Sequence, residues 1–168
     1  MERANGQMET LESFMAVHQI ASIPALLAMS TSYQMIDPVQ QSKQNPFPYT
    51  ENIRGTNCKF EYNQVIHEYN SKPKNIPDAK KHAEDFVTGI GNWNIPNGIR
   101  YVNALITHMN NPDTQIIQGT YRNNEVGFHY YNPNTLLWVF VKVNGEFHCG
   151  WKLWPSQIQD LELHKNVS

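Results

Sequence analysis

The feature that most constrains this chain is Asn144-Gly145, set between two runs of strand-forming residues. Leu137, Val139, Val141 and Val143 alternate on one side of it, and Glu146 to Trp151 returns the chain on the other. Asn-Gly accepts left-handed backbone at both central positions of a two-residue turn, whose twist matches that of the strands it joins. The pair therefore predicts a hairpin between Leu136–Val143 and Glu146–Trp151. Two further strands precede it, Gln115 to Arg122 and Glu125 to Tyr131, with a tight turn at Asn123-Asn124. Pro155 to His164 reads as a closing helix with Ile158, Leu161 and Leu163 inward. Ahead of the strands, Ile99, Val102, Ile106 and Met109 share one face of a helix opened at Pro96 or Asn97 and closed by Asn111-Pro112. Asp78 is placed to cap a short helix reaching Phe86. Helices followed by an antiparallel meander make an α+β domain: N-terminal helices, a four-stranded antiparallel sheet and a C-terminal helix.

The first part of the chain gives weaker signals. Leu11, Phe14, Met15 and His18 suggest a helix within residues 7–33, kinked at Pro24. Residues 37–48 hold prolines and amides and read as a linker, Glu61 to Tyr69 as a short helix, and Ser71 to Pro77 as a boundary. The organisation expected is a helical and linker region over residues 1–76, an entry or tethering segment, and a second domain over residues 77–168. No segment reads as a membrane span or a signal peptide, so the chain is expected to reach its destination as part of a longer secreted polypeptide.

Charge limits the partners. The net charge of -2 argues against a non-specific nucleic-acid binder. From Asp78 onward, Lys80, Lys81, Arg100, Arg122, Lys142, Lys152 and Lys165 face a slightly larger set of acids, Asp78, Glu84, Asp85, Asp113, Glu125, Glu146, Asp160 and Glu162. A polyanion would need a local cationic cluster. Cys58 and Cys149 do not make a disulfide framework, and no zinc spacing is present. No metal and no cofactor is expected.

Two segments hold the residue types that a metal-free ribonuclease needs. Asp78-Ala79-Lys80-Lys81-His82-Ala83 puts a histidine beside two lysines, and Phe147-His148-Cys149-Gly150-Trp151-Lys152 puts a thiol and an indole on one strand face. The imidazole moves protons near neutral pH, the cations hold the charged phosphorane, and the ring stacks on a base. His82 is the first candidate for proton transfer, with Lys81 and Lys80 beside it. By two-residue alternation Phe147, Cys149 and Trp151 share a face and His148 points away, which leaves His148 outside the site. Arg122, at a strand end, and His129 are candidates for substrate contact. Each has an ordinary alternative: a solvated helix face for His82, Lys80 and Lys81, a packed small hydrophobe for Cys149, a core ring for Trp151 and a satisfied strand histidine for His129.

Together with Gly119-Thr120-Tyr121-Arg122 and Phe128-His129-Tyr130-Tyr131-Asn132-Pro133-Asn134-Thr135, these segments resemble the C-terminal nuclease domain of the colicin D type. They are also similar to related toxin domains of contact-dependent inhibition systems. The resemblance runs from Pro77 to Val167 and rests on the order and spacing of four motifs. It implies a fold of the barnase, EndoU and colicin nuclease group. It implies cleavage of the tRNA anticodon loop to 2',3'-cyclic phosphate and 5'-hydroxyl ends, in the cytoplasm of a competing bacterium. It also implies a cognate immunity protein that covers the site. The family's catalytic histidine falls on His82 and one of its lysines on Lys81, while Ala79 stands where a second lysine is found. Cys149 stands at a serine position, and Trp151 matches a substrate-facing indole. Two other readings stay open: a ribonuclease with a different RNA target, and a catalytically weak or dead RNA-binding module of the same fold.

Overall fold

The computed structural model describes residues 46–168. The helix expected within residues 7–33 and most of the 37–48 linker lie outside them.

The described chain opens with a hairpin, β1 (Tyr49–Ile53) and β2 (Thr56–Phe60), turning at Arg54 and Gly55, both in the left-handed region with φ of 51° and 91°. Helices α1 (Tyr62–Asn70), α2 (His82–Phe86) and α3 (Ile95–Asn110) follow. Asp78 is not the cap of α2: it sits at φ 54° in the preceding turn, and the helix begins after Lys81. For α3 the cap is Asn94, whose side chain accepts the Asn97 N–H at 2.7 Å, with Pro96 in the first turn, where its missing N–H costs nothing.

The main sheet comprises β3 (Gln115–Tyr121), β4 (Glu125–Tyr131), β5 (Leu137–Lys142), β6 (Phe147–Lys152) and β7 (Asn166–Val167), in the order β6-β5-β4-β3-β7. The expected four-stranded meander is present. A fifth strand corrects the count: after α4 (Pro155–His164), Lys165 turns the chain in a left-handed conformation at φ 54°, and β7 joins β3 in parallel. The β3–β4 turn places Arg122 and Asn123 at the two left-handed positions, one residue before the expected pair.

Both faces of the sheet are covered. On one, Tyr130, Val139, Val141 and Phe147 meet α1, α3 and the β1–β2 hairpin through Phe60, Val65, Tyr69, Tyr101, Leu105 and Met109. On the other, Tyr121, Tyr131, Trp138, Phe140, Cys149 and Leu153 meet Ile158 and Leu161 of α4. Leu163, expected inward, and Val143, expected on the apolar face of β5, are exposed. A central strand covered on both sides needs apolar residues at every position, which is why Trp138-Val139-Phe140-Val141 runs without a polar break. The first of these cores runs across the boundary expected between residues 76 and 77.

The β5–β6 turn docks on the hairpin: Gly145 carbonyl accepts the Lys59 N–H at 2.8 Å, and a Cβ on Gly145 would run into the Asn57 carbonyl. Gly55 has a similar φ with open space around it. Gly55→Ala is expected to cost about 1–2 kcal/mol of backbone strain, and Gly145→Ala that amount plus about 1–3 kcal/mol of overpacking. Urea unfolding of the two variants measures the difference.

Candidate active site

The site begins with a misplaced acid. On α1, Val65, Glu68 and Tyr69 are buried, so a carboxylate sits on the apolar stripe of the helix. Such a group must be paired. Glu68 Oε1 lies 2.6 Å from His82 Nδ1 and accepts the Gly150 N–H at 3.2 Å. The His82 backbone N–H donates to the Ser71 carbonyl at 2.8 Å, which fixes the start of α2 against the end of α1. With Nδ1 held by the carboxylate, the proton of the neutral ring resides there, and Nε2 carries the free lone pair. Among the described residues Nε2 has no hydrogen-bond partner. The side chains of His82 and Glu68 are 12% and 5% exposed, so the ring is held by its surroundings yet still reached from one side.

That side is a cavity of about 670 Å³ between α1, α2, β6 and the β3–β4 turn. Lys72, Lys74 and Arg122 line it together with His67, His82 and His148, and Glu68 is the acidic side chain among them. The local balance is thus cationic in a chain whose net charge is -2. Trp151 forms part of the wall, its ring centred 5.0 Å from that of His82 and its Nε1 donating to Gln157 Oε1 at 3.2 Å. Trp138 meets it edge-on at 4.7 Å from beneath. Arg122 places its guanidinium 5.0 Å from the centre of the Tyr121 ring, and no carboxylate among the described residues pairs with it.

Cys149 lines the floor and is 3% exposed. Burial, followed by the nearby Glu68 carboxylate, pushes the thiol well above its usual range. It remains a thiol at neutral pH and has the character of a packed small group under the cavity.

Other candidates are placed elsewhere. Lys81 turns its ammonium to the Gly91 carbonyl at 3.2 Å and Asn92 Oδ1 at 3.4 Å, near the face of Tyr69, and does not line the cavity. Lys80 lines a neighbouring hollow of about 340 Å³ with Ile76, Lys152 and Trp154, which shares Trp151 as a wall with the cavity. His129 is enclosed: Nδ1 accepts from Trp138 Nε1 at 2.9 Å, Nε2 lies 3.2 Å from the Lys165 carbonyl, and burial holds its pKa at about 4. It is a satisfied strand histidine with no exposed surface.

Four site members escape the sequence reading. Glu68 carried a signal, an acid in phase with Val65 and Tyr69. Lys72 and Lys74 flank Pro73 in a stretch read only as a boundary. His148 was assigned to the wrong face: the pairing passes from Phe140↔Cys149 to Val141↔Phe147, so His148 is an extra residue in a β-bulge and the alternation breaks there. Phe147 enters one core and Cys149 the other, while His148 joins the cavity.

A sequence model of the Colicin D family matches residues 75–161. Colicin-D of Escherichia coli is 37% identical over 83 residues, which make up 49% of this chain and 12% of that protein. A ribonuclease from Escherichia coli, solved in complex with its inhibitor protein, superposes with a TM-score of 0.50 at 28% identity, covering 62% of this chain and all of that one. Glu68, Lys72 and Lys74 precede the stretch matched by the family.

The burial of His129 sets a pH dependence. Its folded pKa is lowered to about 4, so the unfolded chain binds the proton more readily. Stability from this group is full above the unfolded value of about 6.5 and is lost as pH falls toward 4. The expected loss is about 2–3 kcal/mol over that window. His129→Gln should flatten the dependence in urea unfolding between these pH values. The flattening is partial, because burial lowers His108 and His148 in the same direction.

Proposed function

The chain belongs to the colicin D family, and we propose that it is a toxin endoribonuclease that cuts the anticodon loop of tRNA without a metal. The observation that carries this reading is the His82 imidazole, held at Nδ1 by a buried carboxylate, with its other nitrogen free on the wall of a cation-lined cavity beside Trp151.

The chemistry asks for a few groups, and the cavity supplies them. The ribose 2'-hydroxyl gives up a proton and its oxygen bonds to phosphorus. The bond to the 5'-oxygen breaks and that oxygen takes up a proton, leaving a 2',3'-cyclic phosphate and a 5'-hydroxyl. His82 Nε2 transfers one of these protons. Arg122, with no acidic partner among the described residues, and the cavity lysines Lys72 and Lys74 attract the strand and offset the charge of the pentavalent phosphate. Trp151 gives an unstacked loop base a surface, an interaction of roughly 1–3 kcal/mol in single-strand binders. Cys149 shapes the floor in place of a serine and takes no nucleophilic part. Lys80, beside Trp151 in the neighbouring hollow, meets a flanking phosphate, and Lys81 braces the His82 segment against residues 91 and 92.

The protein's partners follow from the same surface. A cognate immunity protein covers the cavity and offers acidic groups to Arg122, Lys80 and Lys81, as an inhibitor accompanies the ribonuclease of similar fold. The nuclease acts in the cytoplasm of a target cell, delivered as part of a larger toxin. No helix among the described residues is long and apolar enough to cross a membrane.

The test is incubation of the purified protein with bacterial tRNA in EDTA. Discrete fragments with cyclic-phosphate ends are expected, and His82→Ala should slow their formation by about 10²–10⁴-fold. Intact tRNA at high protein concentration contradicts the reading. Glu68→Gln keeps an oxygen for the Gly150 N–H but loses the charge that fixes the His82 tautomer. It should lower kcat by about 10²-fold or more with little change in KM, as single-turnover and steady-state rates will report.

A further inference from the structure

We propose that His148 is the second proton-transfer group of this site, taking the 2'-hydroxyl proton while His82 gives one to the leaving 5'-oxygen. The inference rests on the ribonuclease reading and adds to it the group that a single histidine leaves unassigned. A metal-free transesterification needs a base on one side of the phosphorus and an acid on the other.

The bulge is what brings His148 to the cavity. Residue 148 has no partner across the β5–β6 ladder, and Gln64 of α1 donates to its carbonyl, so the extra residue is pinned from the cavity side. Its ring meets Tyr121 edge-on at 5.2 Å and Phe140 at 6.2 Å, and lines the same cavity as His82. Tyr121 in turn lies 6.2 Å from Trp151, whose ring is centred 5.0 Å from that of His82, so both imidazoles border one aromatic wall of the cavity. Neither nitrogen of the His148 ring has a hydrogen-bond partner among the described residues. This sets it apart from His108 and His129, whose rings are tied to backbone carbonyls.

The charges around it suit a base. Burial, Lys142 of β5 and Arg122 of the β3–β4 turn lower its pKa, against Glu125 of β4 and Glu68 of α1, which raise it. The ring is therefore neutral at neutral pH, with a lone pair available. His82 has the complementary surroundings: the Glu68 carboxylate lies against its Nδ1 and compensates the ring's charge when Nε2 also holds a proton. Balance is kept, since one proton passes from the 2'-oxygen to His148, one from His82 to the 5'-oxygen, one P–O bond forms and one breaks. The third imidazole at the cavity, His67, is exposed at the last turn of α1, and no ring among the described residues packs against it.

The experiment uses the full chain and the stem-loop that it cuts, once with the normal linkage and once with sulfur replacing the 5'-oxygen at the cut, since a thiolate leaves without a proton. On the normal substrate, His148→Ala should lower kcat by about 10²–10⁴-fold, abolish the fall in rate on the acid side of the pH profile, and recover with added imidazole. On the sulfur substrate, His82→Ala should approach the wild-type rate while His148→Ala stays slow. Circular dichroism and a thermal melt exclude unfolding as the cause, and recovery with imidazole requires a folded site. If His148→Ala cuts within twofold of wild type with an unchanged profile, the inference is overturned and the ribonuclease reading stands. If the wild type cuts no RNA, both fall.

Discussion

One carboxylate oxygen holds the active region together. Glu68 Oε1 receives the imidazole of His82 and the N–H of Gly150, so α1, α2 and β6 meet at a single atom. Gly150 is suited to that meeting, because a Cβ there would crowd the Trp138 carbonyl, a Val139 methyl and the Phe86 ring. The pair is almost fully enclosed, and its energetics are those of a buried charge. Removing either member leaves the other unpaired in a medium that solvates it poorly, at a cost of about 3–5 kcal/mol. A buried ion pair of this kind is a poor source of net stability but a strong determinant of geometry, and geometry is what a proton-transfer residue requires. The short helix α2 has five residues and cannot hold itself in place. It is fixed by this junction and by its contact with Ser71.

The rest of the sheet serves the same end from below. Trp138, Tyr121 and Phe140 form a rigid aromatic bed on the face toward α4, and Trp151 and His148 rest on it. His129 braces that bed by accepting from Trp138 and reaching the Lys165 carbonyl, which also positions the turn into β7. The positive charge that a nucleic acid would meet is gathered where the chain conformation allows it: Arg122 at a left-handed turn position, and Lys72 and Lys74 around Pro73. A slightly acidic protein thereby presents a cationic hollow of limited extent. Such a surface favours a substrate recognised by shape and stacking over one held by charge along its length.

Much of the fold was legible because it is written locally. The Asn144-Gly145 turn, the bounds of β4 at Glu125 and Tyr131, and the bounds of α4 at Pro155 and His164 all follow from residues within each element. What was missed depends on distant partners. A two-residue strand such as β7 has no pattern of its own and exists because β3 offers an edge. The Arg54-Gly55 turn lacks the usual Asn, and Arg54 is instead tied to the Thr114 carbonyl. At the site, His82 and Trp151 were legible as residue types in the right chemical company, and the structure sets their rings against each other. His148 was lost to a rule that holds until a bulge interrupts it, while the ammonium of Lys81, next to His82 in sequence, turns to Gly91 and Asn92 because side chains at successive helix-start positions diverge. Glu68 lies fourteen residues before its partner, and only its burial gives it away.

The proposed ribonuclease site requires Glu68 to act through His82. A double-mutant cycle on cleavage of tRNA tests it most directly, with rates measured for wild type, Glu68→Gln, His82→Ala and the double variant. Glu68→Gln should cost nothing further once His82 is gone, so that the double variant cuts as slowly as His82→Ala alone. Losses that multiply across the two substitutions would contradict it, for they would mean that the carboxylate and the imidazole act independently.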